Sequence, residues 1–134
     1  MIEEPLLFDT SVWVHYLRSG GMVSLQDAVD EALSHRRAAI CWVVTAEILV
    51  GTRNEAEFKT ASDVMSGLPQ VPVTDDVWRE AAVVGYRMRR AGVSIGLPDL
   101  VIAQCAIVSG RTLWHSDRHF EYIQQHTALQ ARLW

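Results

Sequence analysis

Cysteine is scarce in this chain, with two among 134 residues. Cys41 and Cys105 sit far apart, each inside an apolar run. This excludes a disulfide framework and a C-x-x-C redox pair, and it predicts buried free thiols in a reducing compartment. Long apolar runs are also missing. The apolar run from Ala38 to Ala46 is well short of the ~20 residues that a membrane span requires. The opening Met1-Ile2-Glu3-Glu4 is acidic and has no basic region of the secretory type. These absences predict a cytoplasmic protein that does not engage a membrane. Lysine is nearly absent, Lys59 being the only one, and 12 basic against 16 acidic residues leave a net charge of −4. A protein that coats nucleic acid by bulk positive charge is thereby excluded, although local or metal-borne phosphate contacts are not.

What is present is an ordinary globular composition, 49% hydrophobic and 21% charged, with no repeat, linker or low-complexity tract. The length fits one domain spanning 1–134. Leu6-Leu7-Phe8 predicts a short buried strand, and Ser11 to Arg18 a helix closed by the breaker pair Gly20-Gly21. Ser24 predicts an N-cap for a helix with Leu25, Ala28, Val29, Ala32 and Leu33 at helical spacing. Ala39 to Val44 predicts a second buried strand, followed by a helix capped by Thr45 and ending near Gly51. Glu55 to Met65 is a further helix, and Val71-Pro72-Val73 an edge strand. Thr74 predicts the cap of a helix with Trp78, Ala82, Gly85 and Met88 on one face and Arg87, Arg89 and Arg90 in its last turn. Pro98 opens an apolar helix from Leu97 to Val108. Arg111 to His115 is another strand, leading through Ser116-Asp117 into a helix ending at Gln125. A last strand spans Ala131 to Trp134. Alternating strands and helices predict an α/β fold, a mainly parallel sheet of four or five strands covered on both faces.

Four carboxylates interrupt otherwise apolar surroundings. Asp9 closes the first strand. Glu47 lies in the otherwise uncharged run from Ala38 to Thr52, Asp99 is the sole charge between Gly92 and Gly110, and Asp117 follows a strand end. In a parallel sheet, strand C-termini and the following helix N-termini share one rim, where ligands bind. Three of the acids also have a local role open to them: Asp9 and Asp117 as helix caps, Asp99 at a helix dipole. Glu47 has no capping role. Only Arg53 and Arg118 flank these acids, so four carboxylates gathered on one rim would repel one another. A divalent cation resolves that repulsion. Hard oxygen donors suit Mg²⁺ or Mn²⁺, and no Cys/His cluster has zinc-like spacing.

Leu7-Phe8-Asp9-Thr10-Ser11, Thr45-Ala46-Glu47-Ile48, Leu97-Pro98-Asp99-Leu100-Val101-Ile102-Ala103 and His115-Ser116-Asp117-Arg118-His119-Phe120 together resemble a PIN-domain nuclease. They are most similar to the VapC toxins of bacterial and archaeal toxin–antitoxin modules. The resemblance runs from Leu6 to Phe120. It implies a three-layer α/β/α fold and an Mg²⁺- or Mn²⁺-dependent endoribonuclease, a homodimer masked by a VapB-like antitoxin. Asp9, Glu47, Asp99 and Asp117 correspond to its catalytic and metal-binding acids. Asp9 and Asp99 are expected as direct ligands, with Glu47 and Asp117 serving a second ion or a metal-held water. Ser11 matches a small hydroxyl residue that supports the site, and His119 stands where many relatives carry Asp.

For the RNA, Arg18, Arg87, Arg89, Arg90 and Arg118 are candidate groove residues. Tyr16 is a candidate stacking or partner contact, while Trp13 reads as core. Two other readings remain open. One is a catalytically silent PIN-fold interaction module, which the presence of all four acids disfavours. The other is a haloacid-dehalogenase-type phosphotransferase, which resembles a D-x-D start and a late lysine; here position 11 is Ser and the lone lysine is Lys59.

Overall fold

The computed structural model describes residues 3–18 and 22–134. Met1-Ile2 and the Gly20-Gly21 pair lie outside the described residues. Strand β1 (Leu6–Phe8) leads into α1 (Thr10–Leu17) and α2 (Val23–Ser34), then β2 (Ala38–Ala39). Four helices follow, α3 (Trp42–Val50), α4 (Glu55–Ser66), α5 (Asp75–Arg90) and α6 (Leu97–Ser109). The chain ends with β3 (Thr112–His115), α7 (His119–His126) and β4 (Ala131–Leu133). All pairings are parallel, in the order β2-β1-β3-β4, with Leu7 opposite Ala39 on one side and Leu113 on the other. Right-handed crossovers put α1 and α2 on one face of such a sheet and the later helices on the other. This is the expected layered α/β architecture, with four strands among the described residues.

Both faces being covered, β1 has no solvent side, and Leu6, Leu7 and Phe8 are all fully buried. Phe8 stacks on Trp114 with ring centroids 5.1 Å apart and meets the edge of Trp13 at 5.5 Å. Trp13 is wholly core, as its sequence context predicts. Cys41 and Cys105 are buried and free. No helix among the described residues is long and apolar enough to cross a membrane.

The expected cap at Thr74 and the helix after it are observed, Thr74 Oγ1 accepting from the Val77 N–H at 3.2 Å. Several expectations are corrected. The second strand stops at Ala39, with Ile40 adding one bridge to Gln70, and Val43 and Val44 are already helical. Cys41 rather than Thr45 occupies the N-cap of α3. A short apolar β-branched run satisfies both a buried strand and a buried helix, so periodicity alone does not separate them. Val71-Pro72-Val73 forms no strand; only Gln70 pairs. The α2 helix starts at Val23, so Ser24 is inside its first turn. In α5 the buried stripe is Val77, Ala81 and Met88, while Trp78 is exposed.

Gly110 ends α6 in the left-handed region at φ 65°, and its N–H closes back onto the Ala106 and Ile107 carbonyls. A Cβ there would meet nothing within 4 Å, so substitution carries a purely conformational penalty. Gly110→Ala is expected to lower the unfolding free energy by about 1 kcal/mol in urea titrations without changing the m-value.

Candidate active site

Asp9 sits where β1 ends and is only 4% exposed. It caps α1: its Oδ2 accepts from the Ser11 N–H at 3.0 Å and from the Ser11 hydroxyl at 2.6 Å. The Ser11 Oγ in turn accepts from the Ser116 N–H at 2.9 Å. One hydroxyl therefore ties the end of β1 to the loop after β3. That loop is also held from the neighbouring edge, where Trp134 N–H donates to the His115 carbonyl (2.8 Å) and Ser116 Oγ donates to the Trp134 carbonyl (3.1 Å). Trp134 packs against Trp114, and the Arg132 guanidinium lies 3.9 Å over its ring.

Asp117 leaves this loop at the rim. Its Oδ1 accepts from the His119 N–H at 2.9 Å, and its own N–H points to His115 Nδ1 at 3.3 Å. His115 is buried beside Phe120, and burial holds its imidazole below the ordinary value, consistent with a neutral, accepting Nδ1. Asp99 arrives on the first turn of α6, its side chain 21% exposed. His119, the first residue of α7, brings Nδ1 to 3.4 Å from Asp99 Oδ2 and 3.3 Å from Asp117 Oδ1. Single donor atoms of Asp99, Asp117 and His119 all lie within 4.8 Å of one another.

The local capping roles and the clustering thus coexist in the same residues. Burial pushes the Asp9 carboxyl up, against the lowering effect of its Ser11 bonds. Burial is also the largest influence on Asp99; with the charges of Asp9 and Asp117 it lifts that carboxyl from an ordinary 3.8 to about 6, despite His119. An acid held so far from its ordinary range by burial and by neighbouring acids marks a site short of positive charge. Oxygen and imidazole donors at this spacing fit a divalent cation.

Glu47 is placed differently from the buried position that its apolar surroundings predict. It is exposed on α3, its Oε1 accepting from Thr10 Oγ1 at 2.7 Å. It is therefore linked to the residue after Asp9 but stands outside the three-residue cluster. Arg18 borders a groove of about 900 Å³ between α1, α3 and α4, with Glu47 on its wall. Arg87, Arg89 and Arg90 are exposed in the last turn of α5, which the short connection to α6 keeps at the same end as Asp99. Arg118 pairs with Glu121 at 3.2 Å. Tyr16 is committed to Asp30 of α2, which drives its phenol up to about 12, and to the edge of Trp13. Lys59, which a phosphotransferase would need at the site, is exposed on α4.

Because Asp99 binds its proton more tightly in the fold than in the open chain, its contribution to stability is present below pH ~4 and is lost as pH rises through about 6. In chelator, the wild-type Tm is expected to fall relative to Asp99→Asn between pH 4 and 6.5. Parallel pH profiles for the two proteins would contradict the assignment of that strain to Asp99.

The sequence profile of the PIN domain matches residues 6–125. Ribonuclease VapC11 of Mycobacterium tuberculosis is 35% identical over 130 residues, covering 94% of this chain and 96% of that protein. Ribonuclease VapC18 of the same organism is 30% identical over 119 residues, covering 86% and 84%. In three dimensions, VapBC2 from Rickettsia felis, solved bound to a DNA fragment from its promoter, is similar with a TM-score of 0.79 at 19% identity, covering 96% of this chain and 98% of that one. With the strand-end acids in place and near-full-length similarity to proteins named ribonuclease VapC, the chain belongs to the PIN domain family.

Proposed function

We propose that this protein is a divalent-metal-dependent endoribonuclease, the toxin of a toxin–antitoxin pair, and that Asp9, Glu47, Asp99 and Asp117 are its catalytic and metal-binding acids. The observation that carries the reading is the desolvated Asp99 carboxyl, pressed by Asp9 and Asp117 at a rim that the His119 imidazole also faces. The relatives named ribonuclease VapC support the reaction class. A silent interaction module has no need of such a costly acid cluster.

Asp99, Asp117 and the end of β1 at Asp9 would hold an Mg²⁺ or Mn²⁺ ion, with Glu47 reaching in from α3. A divalent ion bound there supplies Lewis acidity toward a phosphoryl oxygen and toward water. The chain's own contribution is preorganisation. Ser11 fixes the Asp9 carboxylate through two donors and, through Ser116, sets its distance to Asp117. Asp117 is oriented by the His119 N–H. Arg87, Arg89 and Arg90 are exposed in the last turn of α5, a short connection before α6 and Asp99, and would suit the phosphates of a single strand approaching the site. The groove between α1, α3 and α4 exposes Val14, Leu17 and Val64 next to Arg18 and Arg53. That mixture of apolar and basic surface suits an amphipathic segment of an antitoxin such as the VapB component named in the Rickettsia felis complex.

Purified protein incubated with total cellular RNA should give discrete products with Mg²⁺ or Mn²⁺ and none with chelator. Asp99→Asn is expected to lower the cleavage rate by a factor on the order of 100 or more while circular dichroism stays unchanged. Absence of cleavage by folded, metal-loaded, antitoxin-free protein would sink the ribonuclease reading. Replacing Arg87, Arg89 and Arg90 together with Ala should weaken binding of single-stranded RNA. The slope of log K against log[salt] should flatten by ~0.7 for each phosphate that the protein no longer neutralises. An unchanged slope removes these arginines from the RNA path.

A further inference from the structure

A metal held by the acids alone leaves one group at the rim without a role, the imidazole of His119. Its position is not incidental. His119 opens α7, and its backbone N–H is fixed on Asp117 Oδ1 at 2.9 Å, which limits where the ring can go. The ring then turns inward. Nδ1 lies 3.3 Å from Asp117 Oδ1 and 3.4 Å from Asp99 Oδ2, although the side chain as a whole is 56% exposed. Adjacent donors on a six-coordinate ion with bonds of ~2.1 Å stand roughly 3 Å apart. The two separations are close to that spacing, so one ion can be reached from all three side chains with small rotations.

Resting on the nuclease reading, we propose that His119 Nδ1 is itself a metal ligand, giving the site an O,O,N donor set that favours first-row transition ions, Mn²⁺ foremost, over Mg²⁺. Donor chemistry sets the preference. Mg²⁺ is a hard, strongly hydrated ion that takes carboxylate, carbonyl and water oxygens. Imidazole nitrogen is a borderline donor that first-row transition ions accept more readily. An aspartate in place of His119 would make the set all-oxygen and more negative, which suits Mg²⁺. Histidine lowers the negative charge facing the ion and adds a directional nitrogen. The buried His115 does not compete for this role, because its Nδ1 is turned to the Asp117 N–H and its ring is packed on Phe120.

The test is binding and spectroscopy on the full chain, independent of cleavage. Mn²⁺ is titrated into wild type, His119→Asn and His119→Asp, with free ion counted by EPR and Mg²⁺ affinity read by competition. Pulsed EPR on the bound Mn²⁺ is expected to show ¹⁴N coupling in wild type and none in either variant. The ratio of Mn²⁺ to Mg²⁺ affinity should fall about tenfold in His119→Asp. Thermal unfolding in chelator checks that both variants fold. Bound Mn²⁺ without ¹⁴N coupling in wild type, or coupling that persists in His119→Asn, overturns the His119 assignment and leaves the nuclease reading standing. An unchanged affinity ratio in His119→Asp overturns the selectivity. If wild type binds no Mn²⁺ or Mg²⁺ at all, the metal-dependent reading falls and this inference with it.

Discussion

Like-charge crowding is the constraint around which this molecule is arranged. The parallel order β2-β1-β3-β4 makes β1 and β3 neighbours, so the residues that follow them, Asp9 and the Ser116-Asp117 loop, emerge side by side. The first turn of α6 then adds Asp99 to the same rim. Nothing in hydrophobic folding favours this convergence; burial and mutual repulsion both work against it. The chain offsets part of the penalty with donors that it already has to place. Ser11 gives Asp9 two hydrogen bonds, and the first N–H of α7 serves Asp117. What remains uncompensated is concentrated on Asp99. A fold that retains such a deficit is set up to receive positive charge from outside itself, which is why the site reads as functional rather than structural.

Rigidity at this rim comes from two directions. From the sheet interior, the aromatic trio of Phe8, Trp13 and Trp114 packs beneath Asp9 and fixes the level at which β1 and β3 end. From the sheet edge, β4 and Trp134 tie down His115 and Ser116 by main-chain and hydroxyl contacts. The Asp117 loop is thereby clamped on both sides, while Glu47, on an exposed helical face, is held among the described residues through Thr10. The acids differ in how tightly they are positioned, and the better fixed ones are those nearest the sheet.

Much of this was legible in the sequence, for reasons that can be named. Asp9, Asp99 and Asp117 stood out because each is a charge ending or interrupting an apolar segment, and a parallel sheet gives strand ends only one place to meet. Caps with a short side-chain acceptor, such as Thr74, were readable from the local pattern. The Cys41–Val44 region was not, because an apolar β-branched run is equally compatible with a buried strand and a buried helix. Glu47 misled for a related reason: an uncharged neighbourhood in sequence does not mean a buried face, since Ala46 and Val50 beside it are also exposed. His119 gave no periodic or compositional signal, and the resemblance marked it only as a position where many relatives carry Asp. Its importance lies in a distance to Asp99, twenty residues away in sequence, which only the folded chain sets.

The order of the strands along the chain also governs timing. β1 is made first, yet its partners are the segments around Ala38 and Thr112, and Asp9 reaches Ser116 only through Ser11, across 105 residues. Contacts so distant in sequence form late, after the intervening helices have been synthesised and packed. A nascent chain therefore carries Asp9 without the loop that completes the rim until the segment around Ser116 has been made. For a protein whose proposed substrate is RNA, topology alone then delays activity until that distant segment has emerged and packed, keeping the earlier part of the chain inert beside the message that encodes it.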